Sequence, residues 1–135
     1  MEVKLVRGQG RMQHVITIGK HRLLTDVSDA HGGDDTGPEP HDLLAAALGA
    51  CTAITLRMYA QRKQMDLQDI DVRVAHVQDG DAYVFTRQLQ YFGNLSEAER
   101  TRLTEIADKC PVHKTLLGQI RIVTQVTPAT PTAED

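Results

Sequence analysis

The two cysteines of this chain, Cys51 and Cys110, are the residues whose side chains offer the most specific chemistry. A thiolate attacks peroxides and disulfides and binds metals, whereas a buried thiol acts as a small apolar side chain. Cys51 lies in an apolar run, which disfavours the thiolate, so an active Cys51 requires a cation such as an arginine from elsewhere. The wide spacing does not indicate a structural disulfide, and catalytic, redox and packing roles all stay open.

Cys110 precedes Pro111, Val112 and His113. Proline is favoured at the first position of a helix, so this order predicts that Cys110 caps a short helix. Free amide groups at a helix start favour an anion, and the residues alone therefore favour Cys110 as the more readily ionised thiol. His113 is a candidate proton donor or orienting group beside it. The alternative is a packing role, because Cys110 continues an apolar helix face.

Zinc is a further possibility, since thiolates and imidazoles are its usual ligands. The candidate ligands are Cys51, Cys110, His41 and His113. No pair of cysteines has the two-residue spacing typical of zinc sites, so the pattern favours zinc only weakly.

The elements that must position these residues follow from local patterns. Short strands are predicted at residues 3–5, 14–18 and 23–27, followed by a loop rich in Gly, Pro and Asp. A helix is predicted from His41 to about Lys63, and its first half is apolar on all sides. Alternating residues around 70–77 and 83–91 predict a hairpin. The Ser96–Glu99 capping box starts a second helix, and Pro111 forces either a break or a new helical start through Leu117. Residues 120–124 suggest a last strand.

This order of elements predicts an α+β fold in a single domain over residues 1–126, with a flexible tail over 127–135. A helix that is apolar around its whole circumference needs cover on every side. A small sheet in a chain of 135 residues cannot supply all of it, so we expect a homodimer.

Composition excludes several classes of protein. The chain has 15 Lys and Arg against 18 Asp and Glu, without a basic block, so we expect no nucleic acid or membrane partner. The apolar run 43–56 is shorter than the roughly 20 residues that span a bilayer. The first residues lack the pattern of a secretory signal, and we expect a cytoplasmic protein.

Two segments resemble the OsmC-like family, which includes osmotically inducible protein C and the organic hydroperoxide resistance proteins. The first is GDDTGPEPHDLLAAALGAC at residues 33–51, and the second is CPVH at residues 110–113. The resemblance extends from the first strands to Val126. It implies an OsmC-like fold, in which antiparallel sheets pack around a long buried central helix, and a tightly intertwined homodimer.

The resemblance also implies a thiol-dependent peroxidase that reduces organic hydroperoxides, and hydrogen peroxide more weakly, in defence against oxidative stress. In that mechanism Cys51 attacks the peroxide bond and becomes a sulfenic acid, which Cys110 resolves to a disulfide. An external dithiol, such as a lipoylated protein, then reduces the disulfide, and no metal or organic cofactor takes part.

The family's activating pair is an arginine and a carboxylate. The arginine aligns best with Arg11, and Arg22 is the second choice. His41 stands where the hydroperoxide resistance proteins have a glutamate, so Asp42 or Glu39 would have to orient the arginine. A non-catalytic dimer that binds a small ligand, having lost the activating glutamate, is the alternative function.

Overall fold

A computed structural model describes residues 1–129 of the chain. Its first element is a three-stranded antiparallel sheet in the order β1 (Val3–Arg7), β2 (His14–Ile18) and β3 (His21–Thr25). β2 and β3 meet at a two-residue turn, where Gly19 has the positive φ of 58° that such turns require. This turn pairs Ile18 with His21, and β3 therefore begins two residues earlier than the predicted strand.

The loop after β3 is ordered around one buried carboxylate. Asp26 accepts the hydroxyl proton of Thr36 at 2.6 Å and the amide protons of Val27, Asp34 and Thr36 at 2.8–3.3 Å. A 3₁₀ turn, Asp29–His31, lies within this loop. The sequence left open whether the segment is structured or mobile, and these bonds describe a structured loop.

The central helix α1 (Pro40–Arg62) confirms the predicted helix. Proline occupies its first turn, and Glu39 and Asp42 form a reciprocal capping box that satisfies two free amides. α1 packs against the hairpin and against both later helices. A side chain at Gly49 would bring its Cβ to 3.4 Å from Val74, so glycine permits the close approach of α1 to the hairpin.

By length and apolar composition alone, α1 would suffice to cross a membrane, although its longest apolar run, residues 43–56, covers only part of it. Core helices of globular proteins meet the same criterion, so this is weak grounds for a membrane span. The helix exceeds the apolar run because helix-forming polar residues continue it to Arg62.

The hairpin consists of β4 (Asp69–Asp79) and β5 (Ala82–Phe92), joined by a two-residue turn in which Gly80 has a φ of 59°. Then follow α2 (Glu97–Ala107), with the predicted Ser96–Glu99 capping box, and α3 (Pro111–Leu117), capped by Cys110. The predicted hairpin and both predicted helices are therefore confirmed.

The core lies between the second half of α1, α2 and the inner face of the hairpin. Its buried members are Leu56, Tyr59, Ala60, Leu103, Ile106 and Ala107. The end of α1 and the inner face of α2 are thus fixed by packing, and Cys110 follows three residues after the end of α2.

The prediction of a last strand at residues 120–124 is wrong. Residues 119–129 form no regular structure, and Ile122 is 87% exposed. A strand needs a neighbour to satisfy its amide and carbonyl groups, and within residues 1–129 no strand lies beside this segment. Of the predicted tail 127–135, residues 130–135 lie outside the described residues.

Candidate active site

The structure brings the two cysteines together at the start of α3. The amide of Val112 donates to the sulfur of Cys51 at 3.5 Å, and the amide of His113 donates to the sulfur of Cys110 at 3.3 Å. Successive amides of one helical turn thus serve the two thiols, although the cysteines are 59 positions apart in the chain. Both are free thiols, and the predicted capping role of Cys110 is confirmed.

The two thiols differ in access. Cys110 is fully buried, at 0% exposure, whereas Cys51 is half-buried. Cys51 also has the hydroxyl of Thr55, one helical turn later, at 3.8 Å from its sulfur. Small molecules in solution therefore have access to the Cys51 sulfur, whereas the Cys110 sulfur is enclosed by protein.

Thr52 links α1 to Cys110 through its hydroxyl group. The hydroxyl donates to the carbonyl of Leu48 at 2.7 Å, and its oxygen lies 3.8 Å from the Cys110 sulfur. The same oxygen accepts a bond from Arg87 at 3.0 Å. Thr52 is fully buried, so its contacts are protected from water.

Arg87 is the arginine that binds Thr52, the neighbour of Cys110. Its guanidinium donates to Thr52, to Asp108 at 2.9 Å and to Nδ1 of His113 at 3.4 Å, and its side chain is only 12% exposed. Arg87 is not among the site residues predicted from the sequence. A usable signal existed, because Arg87 falls between Phe85 and Leu89 on the inward-facing positions of β5, where an arginine is out of place.

Arg11, the predicted activating arginine, is engaged elsewhere. Its guanidinium binds Asp29 at 2.8 Å and Asp34 at 3.1 Å and donates to the carbonyl of Gly33, and these carboxylates raise its pKa. Within residues 1–129 it makes no hydrogen bond to either cysteine. Arg22, the second choice, lies in β3 of the N-terminal sheet.

The predicted supporting carboxylates cap α1 instead of orienting an arginine. Besides capping, Asp42 accepts from Nε2 of His76 at 2.7 Å, and this bond is the main cause that lowers the pKa of Asp42. Nδ1 of His76 lies 2.6 Å from the hydroxyl of Tyr83, and His41 stacks on the Tyr83 ring at 4.7 Å. Since Asp42 can only accept, the neutral imidazole accepts the Tyr83 proton at Nδ1.

The candidate zinc ligands do not lie together within residues 1–129. Within the described part of the chain, the group whose ligand atoms lie within 4.8 Å of one another is Glu39, Asp42 and His76. The two cysteines, His41 and His113 form no such set there. The carboxylates of that group already cap α1, and the positive end of the helix disfavours a cation beside them.

A cavity of about 300 Å³ lies between α1, β5 and α3 and is lined by residues other than the two cysteines. Arg87 and His113 contribute polar groups to its wall, and the other lining residues are Leu48, Tyr83, Val84, Phe85, Leu116 and Leu117. The cavity therefore suits a small organic molecule with an apolar body and one polar end.

Fold and site together define an α+β protein with an accessible thiol in front of a buried one. A family model described as OsmC-like protein matches residues 32–125, and the chain belongs to this family. A search of curated protein sequences finds no match.

Solved structures of the family share the fold. An OsmC-like protein from Mycoplasma pneumoniae is 18% identical, with a TM-score of 0.75, over 87% of this chain and 86% of that one. An organic hydroperoxide resistance protein OsmC from Legionella pneumophila is 21% identical, with a TM-score of 0.62, over 87% and 88%. The organic hydroperoxide resistance protein OhrB of Bacillus subtilis is 23% identical, with a TM-score of 0.58, over 87% and 92%.

Proposed function

We propose that the chain is a thiol peroxidase that reduces organic hydroperoxides with Cys51 as the attacking thiol and Cys110 as the resolving thiol. The observation that carries this proposal is the pairing of an accessible and a fully buried cysteine on successive amides of α3. Two thiols held at the start of one helix suit a reaction in which one cysteine follows the other. The names of the Legionella and Bacillus relatives support the same class of substrate.

The first step breaks the O–O bond. The Cys51 thiolate attacks the terminal oxygen of the hydroperoxide, which gives a sulfenic acid on Cys51 and an alkoxide that takes a proton from solvent to become the alcohol. The Val112 amide bond to the Cys51 sulfur favours the thiolate, because a hydrogen bond to a charged acceptor is stronger than one to a neutral acceptor.

The second step joins the two cysteines. Cys110 attacks the sulfur of the sulfenic acid, and the Cys110 proton leaves with the hydroxyl group as water. An external dithiol, a lipoylated protein in this proposal, then reduces the disulfide by two exchange reactions and leaves as its own disulfide. No metal or organic cofactor enters these steps.

The setting of the reaction is also part of the proposal. We place it in the cytoplasm, where reducing conditions keep both thiols free between turnovers. We further propose a homodimer, since apolar side chains of α1 remain exposed in one chain.

Stopped-flow oxidation of the reduced protein by cumene hydroperoxide and by hydrogen peroxide tests the reaction. We expect rapid loss of both thiols in the wild type, no fast phase in Cys51→Ser, and an accumulated sulfenic acid in Cys110→Ser. Cumene hydroperoxide should react faster than hydrogen peroxide. A wild-type rate equal to that of free cysteine would contradict the proposal.

A non-catalytic small-ligand-binding dimer is the second candidate. The observation in its favour is that Arg11, Glu39 and Asp42 do not meet at Cys51 within the described chain, while an apolar cavity adjoins the site. Slow thiol oxidation together with saturable binding of an apolar probe to the reduced protein would favour this candidate.

A further inference from the structure

Arg87 joins four separate elements around the buried thiol. It extends from β5 to Thr52 of α1, to Asp108 at the end of α2 and to His113 of α3. An arginine whose side chain is only 12% exposed loses most of its hydration, and the contact with Asp108 compensates for only part of that loss because Asp108 is 70% exposed. This uncompensated cost of burial indicates that Arg87 does more than form an ion pair with Asp108.

The hydrogen bonds around Thr52 fix the direction of its contact with Cys110. A hydroxyl group has one proton and two acceptor sites. The proton of Thr52 goes to Leu48, and one acceptor site takes the Arg87 bond. The remaining contact, to Cys110, must then run from the thiol proton to the Thr52 oxygen.

We propose that Arg87, acting through Thr52, is a positioning residue for the resolving thiol Cys110 and not the activator of Cys51. With the thiol proton directed at Thr52 and the His113 amide on its sulfur, Cys110 is held in one orientation. When this proton leaves, the thiolate forms one hydroxyl group away from the Arg87 guanidinium, and the positive charge stabilises it. The inference rests on the proposed two-cysteine reaction and assigns Arg87 to its second step.

The contacts of Cys51 support this division of roles. Its sulfur meets Thr55 and the Val112 amide, and within residues 1–129 no arginine donates to it. Other charged and titratable groups also surround Cys110: Cys51 of α1, Asp108 and Lys109 at the end of α2, and His113 of α3.

The test compares Arg87→Gln with wild type in the two steps separately. Sulfenic acid formation is measured in a Cys110→Ser background, with and without Arg87→Gln, and should change by less than about twofold. Disulfide formation in the intact protein should slow about tenfold, and its pH profile should move to higher pH, as expected when a nearby cation is lost. Arg73→Gln is the matched control, because Arg73 lies on the neighbouring strand with a 77% exposed side chain.

Arg87→Lys distinguishes charge from geometry. Lysine keeps the positive charge but not the planar fork, so the pH profile should stay near that of wild type while disulfide formation remains a few fold slower. Thr52→Val keeps the shape of the side chain and removes the hydroxyl, and it should slow disulfide formation as Arg87→Gln does. This variant keeps the inference testable if Arg87→Gln does not fold.

Oxidation by diamide separates this inference from the proposed peroxidase activity. Diamide takes two electrons and two protons from the two thiols, so it forms the same disulfide without any peroxide. If peroxides do not react but Arg87→Gln still slows disulfide formation by diamide, only the proposed activity fails. Unchanged disulfide formation in Arg87→Gln, or an equal slowing of sulfenic acid formation, would overturn the role of Arg87.

Discussion

Asp26 shows how a single residue can organise a loop that has no regular structure. It is 2% exposed, yet it carries a charge because the Thr36 hydroxyl and three backbone amides donate to it. The Thr36 hydroxyl is the largest cause that holds the pKa of Asp26 at about 2, below the ordinary 3.8. The carboxylate therefore fixes the loop that leads into α1.

We predict that Asp26→Asn destabilises the protein at neutral pH and that this difference disappears in acid. Because the folded-state pKa is lowered, the ionised group stabilises the fold above about pH 4, and this contribution is lost as the pH falls towards about 2. Thermal melts at pH 7, 5, 4 and 3 measure the difference.

Asp35→Asn is the matched control in the same loop, since Asp35 is exposed and asparagine tolerates its positive φ of 53°. We expect little change from it. A difference between Asp26→Asn and wild type that stays constant over this pH range would contradict the role of the charge.

At this scale the sequence predicts residues with distinctive chemistry and misses those defined by their surroundings. Cys51, Cys110 and the capping role of Cys110 follow from local context. Arg87 does not, because its partners lie 21 to 35 positions away in the chain. Asp26 does not, because its partners Asp34 and Thr36 lie in a loop without regular structure. Only the inward register of Arg87 on β5 carries a signal.

At the scale of the elements, two successive hydrogen bonds connect the start of α1 to the hairpin. Asp42 in the first turn of α1 binds His76 of β4, which in turn binds Tyr83 of β5. These hydrogen bonds lie on the side of α1 where Gly49 approaches Val72 and Val74 of β4.

We predict that His76→Ala lowers the free energy of unfolding by about 1 kcal/mol at pH 7, as expected for a half-exposed charge-assisted hydrogen bond. His76 lowers the pKa of Asp42, so the stabilisation is present above the ordinary pKa of 3.8 and is lost as the pH falls below it. Urea denaturation at pH 7 and pH 3 measures this, and the difference from wild type should be smaller at pH 3.

Tyr83→Phe provides the comparison, because it removes only the hydrogen bond between Tyr83 and His76 and keeps the ring that stacks on His41. We expect a smaller loss of stability than in His76→Ala. An equal loss at both pH values in His76→Ala would point to packing instead of the charge on Asp42.

The helices and the hairpin were predictable because their signals are local. Proline in the first turn, the Ser96–Glu99 capping box and the glycine turns act over a few residues. The bounds of β3 and the absence of a last strand were not predictable in this way, since pairing with a neighbouring strand decides both. The alternating apolar residues at 120–124 indicate a segment that can pack one face against a neighbour. This pattern does not specify a strand unless another strand is there to pair with it.

For the whole molecule, the main feature is the uneven cover of its apolar surface. One face of the second half of α1 is covered by α2 and the hairpin, yet Leu44, Ile54 and Met58 on other faces of the helix are 43–60% exposed. The N-terminal sheet adds further exposed apolar side chains: Val3, Leu5, Val6, Leu23 and Leu24. Monomeric proteins rarely expose apolar surface on this scale, so these faces indicate association.

We predict that the protein is a dimer in solution and that α1 contributes to the interface. Light scattering after gel filtration should give twice the 14.9 kDa of one chain. Ile54→Glu combined with Met58→Glu places two charges on one exposed face of α1. Burial of these charges against a second chain would cost several kcal/mol per unpaired charge, so the double variant should have the mass of one chain.

Thr101→Glu is the control, because it adds a charge at an exposed position of α2 and should leave the dimer intact. Since Cys51 lies on the same helix, three residues before Ile54, the double variant also reveals whether the attacking thiol depends on association. A wild-type protein with the mass of one chain would show that these apolar faces stay open to solvent, and the requirement for a second subunit would then be wrong.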